Sequence, residues 1–124
     1  MHNKDLSLAR VVVTGGAGFI GSHLVDSLIE LGVEEVRVVD NLSSGSLENL
    51  ARHMGKPYLV FAKSDLKIPA TEWTELFREA DAVFHYAANP EVRVSSTEPR
   101  RHFEENIVTT FNVLEASRRH DVEY

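Results

Sequence analysis

No cysteine occurs among the 124 residues, which excludes disulfides, cysteine-ligated zinc, iron–sulfur clusters and a thiol nucleophile. Long hydrophobic runs are missing too. The longest, Tyr58-Leu59-Val60-Phe61-Ala62, falls far short of the roughly 20 residues a membrane-spanning helix needs. There is no excess of basic charge. Lysine and arginine number 13 against 19 aspartates and glutamates, for a formal net charge of -6, and such a chain lacks the basic face that grips a phosphate backbone. The six histidines include no pair four residues apart, so the helical zinc motif is absent and no metal site is expected. Met1-His2-Asn3-Lys4-Asp5 carries no apolar signal-peptide segment. The expectation is a cytoplasmic domain that binds neither nucleic acid nor membrane.

What is present is an ordinary folded composition, 43% hydrophobic and 26% charged, arranged as alternating strands and helices. Arg10-Val11-Val12-Val13-Thr14 is a β-branched run ending at glycine, as a strand buried on both faces would. A helix is predicted over Phe19–Leu31, with Phe19, Ile20, Leu24, Leu28 and Leu31 at helical spacing and Gly32 closing it. Val36–Val39 is a second strand ending at Asp40. Ser46 is placed to cap a short helix through about His53, Tyr58–Ala62 is a third strand, and Thr71 is placed to cap a helix through about Glu79. Ala82–Tyr86 is the fourth strand. Thr97, Glu98 and Pro99 open a long helix to about His120, with Phe103, Ile107, Phe111 and Leu114 as its apolar stripe. Strands and helices alternating at this spacing imply right-handed βαβ crossovers. The predicted fold class is α/β, a doubly wound parallel sheet.

The glycine loop carries the strongest chemical signal. Gly15, Gly18 and Gly21 form a G-x-x-G-x-x-G pattern between the first strand and the first helix, the context a dinucleotide fingerprint requires. Without Cβ atoms the backbone can approach a pyrophosphate, whose charge then sits at the positive helix N-terminus. The bland alternative is a structural strand-to-helix turn. Asp40 supplies the second part. It ends the second strand 19 residues after Gly21, near the ~20-residue offset at which a carboxylate accepts ribose hydroxyls. A carboxylate there repels a 2′-phosphate, so NAD is favoured over NADP. The alternative for Asp40 is a strand-end cap.

These segments, with Val39-Asp40-Asn41-Leu42-Ser43-Ser44-Gly45, Ser64-Asp65-Leu66, His85-Tyr86-Ala87-Ala88 and Asn106–Ala116, resemble the extended short-chain dehydrogenase/reductases. Within them the chain is most similar to the NAD-dependent nucleotide-sugar epimerases and dehydratases, in particular the UDP-glucose/UDP-galactose 4-epimerase type. The resemblance implies a Rossmann fold cut after four βα units, so that residues 1–124 are an NAD-binding domain without its substrate domain. It also implies roles for individual residues. Gly15, Gly18, Phe19 and Ile20 would approach the pyrophosphate, and Asp40 would hold the adenosine ribose. Asn41, Ser43 and Ser44 would line the adenine side, with Asp65 and Leu66 flanking the ring. Tyr86, Ala87, Ala88 and Asn89 would pass under the nicotinamide ribose, and Asn106 would support that strand from the helix. A turn cap at Asp65 and a buried amide stitch at Asn106 remain alternative or concurrent readings.

The chain departs from the family in one respect. The family's chemistry needs a Tyr-x-x-x-Lys pair, whose lysine lowers the tyrosine pKa so that the phenol acts as general base. Tyr58 is followed four positions on by Ala62, Tyr86 by Pro90, and Tyr124 ends the sequence. No catalytic residue is therefore assigned, and whether the chain is itself an enzyme stays open. The family reading is the NAD-binding part of a nucleotide-sugar 4-epimerase, inactive as a fragment. A dehydratase or other family fragment and a non-catalytic stand-alone NAD-binding module are the alternatives. The family's partner is a nucleotide sugar. An uncovered fourth strand and the apolar stripe of the long helix predict a homodimer or larger assembly.

Overall fold

The computed structural model describes residues 5–89, 91 and 93–124; Met1–Lys4 and Pro90, both used in the sequence reading, lie outside the described residues. Four strands form one sheet: β1 (Arg10–Thr14), β2 (Glu35–Asp40), β3 (Leu59–Lys63) and β4 (Ala82–His85). They pair in the order β3-β2-β1-β4, and every pairing is parallel. Each crossover carries helical segments, so the observed architecture is the doubly wound Rossmann-like sheet the alternation predicts.

The valine runs explain why both faces are covered. Side chains alternate across a strand, so Val11 and Val13 pack on one side with Val36, Val38, Val25 and Leu28. Val12 and Val39 pack on the other, with Trp73, Phe77, Val113 and Ala116. Trp73 and Phe77 meet edge to face, 5.6 Å between ring centroids, and the indole N–H donates to the Ile68 carbonyl at 2.7 Å.

Several helical elements differ from expectation. Helix α1 spans Phe19–Glu30, but its inward residues are Gly21, Ser22, Val25 and Leu28. Phe19, Ile20 and Leu31 face out, exposed by 79%, 63% and 63%, because the close approach of Gly21 to the glycine loop sets the helix rotation. Ser46 does cap, accepting from the Glu48 amide at 3.2 Å, but the element it caps is only a 3₁₀ turn over Leu47–Leu50. Thr71 is not a cap: α2 (Thr71–Thr74) has Ala70 at its N-cap, and a 3₁₀ turn over Glu75–Phe77 comes next. That tighter turn places Phe77 under the sheet, and Glu79 at φ 60° ends it.

The long helix is interrupted. After α3 (Val94–Thr97) come α4 (Pro99–Phe103), a π-helical turn over Glu104–Val108, and α5 (Thr109–Arg119). In the π turn the Thr109 amide reaches back to the Glu104 carbonyl. The Thr109 and Thr110 hydroxyls donate to the carbonyls of Glu105 and Asn106, at 2.7 and 2.6 Å, satisfying groups a regular helix would have bonded through N–H. One extra residue per turn rotates the following face by roughly 100°. The α5 residues packed inward are Thr109, Asn112, Val113 and Ala116, with the Asn112 amide donating to the Leu66 and Lys67 carbonyls. Phe103, Ile107, Phe111 and Leu114 are instead 49–64% exposed.

The expectation of a wholly uncovered β4 edge also needs correction. The Val83 amide donates to the Tyr124 carbonyl at 2.8 Å, and the Tyr124 amide to the Asp81 carbonyl at 3.3 Å. Tyr124 thus lies beside Ala82 in parallel register and covers the start of β4. Among the described residues no helix is long and apolar enough to cross a membrane.

Candidate functional site

Parallel strands place their carboxyl ends along one edge of the sheet, and ligands of open α/β sheets bind where the strand order reverses there. In this chain the reversal lies between β1 and β4. The cleft at that edge is framed by the glycine loop after β1, the Asp40 segment after β2, the Ser64–Lys67 segment after β3 and the Tyr86–Ala88 segment after β4.

Glycine geometry shapes the floor. Gly15 has φ +69°, and a Cβ there would stand 2.7 Å from the Ala87 nitrogen. A Cβ on Gly21 would stand 2.1 Å from the Gly15 carbonyl oxygen. Loop, helix start and β4 exit are therefore packed backbone to backbone. Helix α1 begins at Gly18 with no side-chain cap and no acidic residue in its first turn, leaving its N-terminal amides and positive dipole end for a ligand.

Asp40 clamps this loop. Its Oδ2 accepts from the Ala17 amide at 3.0 Å and its Oδ1 from the Leu42 amide at 2.8 Å. The side chain is buried but lines the cleft. An ionised carboxylate offers about four acceptor sites, so two N–H groups leave capacity for a pair of hydroxyls. The Ser46 amide and the Asn49 side chain both donate to the Ala17 carbonyl, at 3.0 and 2.8 Å, so the segment after β2 is fastened to the glycine loop from several sides.

Most of the expected residues meet here. Gly15, Gly18, Asp40, Asn41, Ser43 and Ser44 line one half. Asp65, Leu66, Tyr86, Ala87 and Ala88 line the other. Asp65 also caps its turn, accepting from the Lys67 amide at 2.9 Å, so both of its readings hold. Four expected residues stand outside the lining. Phe19 and Ile20 point their side chains into solvent, and only their backbone faces the helix start. Asn89 and Asn106 lie behind it as a bidentate pair: the Asn89 amide donates to Asn106 Oδ1 at 2.6 Å, and Asn106 Nδ2 donates to the Asn89 carbonyl at 3.2 Å.

Sequence reading missed Ser64, Lys67, Glu105 and Thr109, which also line the cleft. Glu105 and Thr109 are one turn apart and flank Asn106, a spacing that could have revealed them. Burial pushes the Glu105 carboxyl upward, but hydrogen bonds from Arg101 and Asn89 and the charge of Lys67 together hold it below its usual range. Lys67 is the cation of the lining, where Asp40, Asp65 and Glu105 supply the carboxylates. No group of three metal-ligating side chains occurs among the described residues.

Comparison with known proteins gives the family of the chain. Residues 11–124 match the NAD dependent epimerase/dehydratase family model. A solved UDP-galactose 4-epimerase is 57% identical, with a TM-score of 0.76 over 91% of this chain and 35% of its own. The Thermus thermophilus UDP-glucose 4-epimerase, solved with NAD, is 42% identical with a TM-score of 0.79, over 92% of this chain and 35% of its own. UDP-glucuronic acid decarboxylase 6 of Arabidopsis thaliana is 37% identical over 110 residues, 89% of this chain and 30% of that protein. The chain thus spans about a third of the length of the relatives it matches. It belongs to the NAD-dependent epimerase/dehydratase family.

Proposed function

We propose that this chain is the NAD-binding part of a nucleotide-sugar 4-epimerase of the UDP-glucose/UDP-galactose type. The observation that carries the cofactor reading is the glycine cradle joined to a buried Asp40 with acceptor capacity to spare. The 57% identity to a UDP-galactose 4-epimerase supports the substrate class. The similarity to a UDP-glucuronic acid decarboxylase favours, as second reading, another reaction on the same class of nucleotide sugar.

In this reading Gly15 and Gly18 admit the pyrophosphate, and the backbone amides of Phe19 and Ile20 face it from the helix start. Asp40 accepts the adenosine ribose hydroxyls, and its charge disfavours a 2′-phosphate. Asn41, Ser43, Ser44, Asp65 and Leu66 surround the adenine. Tyr86, Ala87, Ala88 and Asn89 run beneath the nicotinamide ribose, with Asn106 bracing them. NAD bound there supplies a hydride acceptor and donor. The 124 residues hold no Tyr-x-x-x-Lys pair, so none of them is assigned as the base for the sugar hydroxyl.

The test is titration of the purified chain with NAD and NADP, followed by a turnover assay on UDP-galactose. Saturable NAD binding with weaker NADP binding and no turnover is the expected result. General acid–base catalysis alone typically contributes about 10²–10⁴-fold, and a chain without its base forfeits it. Robust epimerisation by these 124 residues, or absence of NAD binding, would overturn the assignment.

The outward stripe of Phe103, Ile107, Phe111 and Leu114 is the basis for proposing a homodimer or larger assembly, since contiguous exposed apolar surface marks interaction sites. Light scattering over a dilution series is expected to show a concentration-dependent mass above 13.9 kDa. A strict monomer at micromolar concentration contradicts it.

A further inference from the structure

His85 sits where β4 ends, half-buried between β1 and α5. Its ring contacts one hydroxyl on each side: Nδ1 lies 2.6 Å from Thr14 Oγ1, and Nε2 lies 3.0 Å from Thr110 Oγ1. The proton directions follow from what those hydroxyls do elsewhere. Thr110 Oγ1 is 2.6 Å from the Asn106 carbonyl, to which it can only donate. Its single proton is then used, so it accepts from His85, and Nε2 carries the ring proton. In a neutral imidazole Nδ1 is then an acceptor, and the Thr14 hydroxyl donates to it. Thr14 Oγ1 in turn accepts the Ala87 amide at 3.2 Å.

The result is a directed relay: Ala87 N–H to Thr14, Thr14 to His85, His85 to Thr110, Thr110 to the Asn106 carbonyl. The Asn106 side chain then returns to both backbone groups of Asn89. The two ends of the relay hold Ala87 and Asn89, the segment after β4 whose Ala87 and Ala88 line the cleft.

We propose that His85, locked as the neutral Nε2–H tautomer between Thr14 and Thr110, is the positioning residue that sets the Ala87–Asn89 segment for the dinucleotide. The proposal deepens the NAD-binding reading and rests on it for its ligand. A second proton on His85 would convert Nδ1 into a donor and leave the hydroxyl proton of the fully buried Thr14 without its acceptor. Burial holds the His85 pKa below the usual histidine value in the same sense. Stability linked to this group is therefore present above about pH 6.5 and is lost as the pH falls below it. On the helix side, the titratable neighbours of Asn106, His102 and Glu105, are engaged by Asn106 and by Asn89 with Arg101. Tyr86 follows on the β4 side; the one ionisable side chain of β1 is Arg10, at the opposite end of the strand from Thr14 and paired with Glu34 and Glu79, and the glycine loop from Gly15 to Gly18 carries none.

The experiment combines imidazole nitrogen NMR on the intact chain with NAD titration of two variants. The wild-type ring is expected to show unprotonated Nδ1 and protonated Nε2 at neutral pH. His85→Asn keeps an acceptor near the Nδ1 position and is expected to bind NAD within about threefold of wild type. His85→Leu removes both partners and is expected to weaken binding about tenfold and to speed exchange of the Ala87 amide. If the leucine variant does not fold, Thr110→Val, which removes the acceptor for Nε2–H, serves in its place with the same expected direction. An Nδ1–H tautomer, or a leucine or valine variant with wild-type NAD affinity and Ala87 exchange, overturns the proposal. Should wild type bind no NAD at all, the cofactor reading fails separately, and the tautomer with the Ala87 exchange rates still decides the role of His85.

Discussion

Gly21→Ala is expected to abolish most NAD binding and to destabilise the chain by about 3 kcal/mol or more, the upper range for forced overpacking. The added Cβ would lie 2.1 Å from the Gly15 carbonyl oxygen and 2.9 Å from both Gly15 C and Gly16 Cα. These are backbone atoms, so no rotamer change relieves the clash. Either α1 lifts from β1 or the glycine loop shifts, and both movements spoil the approach to a pyrophosphate. Gly32→Ala is the control. Gly32 has φ +84° but open space around its Cβ position, so alanine there meets backbone strain alone, about 1–2 kcal/mol, far from the cleft. Urea unfolding of both variants beside NAD titration separates the effects. Equal NAD affinity in Gly21→Ala and wild type would refute the role given to the glycine loop.

Asp40→Ala is expected to weaken NAD by roughly ten- to hundred-fold, the equivalent of about 1.5–3 kcal/mol for a lost charge-assisted hydrogen-bonding site. It should also narrow the margin over NADP, because the charge that repels a 2′-phosphate is gone. The structure adds a second consequence that the spacing did not show. Asp40 bonds the Ala17 and Leu42 amides, so alanine strands two N–H groups and loosens the glycine loop from the segment after β2. A fall in stability should therefore accompany the fall in affinity. Asp40→Asn separates the two effects: its amide oxygen can retain one backbone N–H, while the charge is removed. Titrations with both dinucleotides check the outcome, and a wild-type preference for NADP would contradict the assignment from the start.

The expected effects of these substitutions follow from how local the signals are. A β-branched run that stops at glycine, three glycines three apart, and an acidic residue at the next strand's end are short-range patterns. Each is dictated by backbone sterics and charge within one βα unit. The sheet class and the part of the cleft made by Gly15, Gly18 and Asp40 were accordingly legible in the residues, while Asn41, Ser43 and Ser44 came from the family resemblance. The helical rotations were not. Phe19 and Ile20 look like core positions in a periodic pattern, yet they face solvent because Gly21 must touch the Gly15 carbonyl. The stripe from Phe103 to Leu114 looks like a core face, yet the π turn carries Thr109, Asn112, Val113 and Ala116 inward in its place.

Periodicity reports which residues share a face. It carries no information on which face meets the sheet once a turn gains a residue or a backbone contact sets the rotation. The same limit hid that Lys67, Glu105 and Thr109 reach the cleft, even where spacing groups Glu105 and Thr109 with Asn106; α5 docks on the segment after β3 through the Asn112 bonds to the Leu66 and Lys67 carbonyls. The limit also hid the His85 relay, whose members Thr14, His85 and Thr110 are 71 and 25 residues apart. The sequence by itself determined the layered α/β sheet, the glycine cradle and the acidic acceptor, because each depends on neighbours a few positions away. Only the tertiary structure decided which helix faces turn inward and which distant polar groups share protons, because those depend on how separate elements dock.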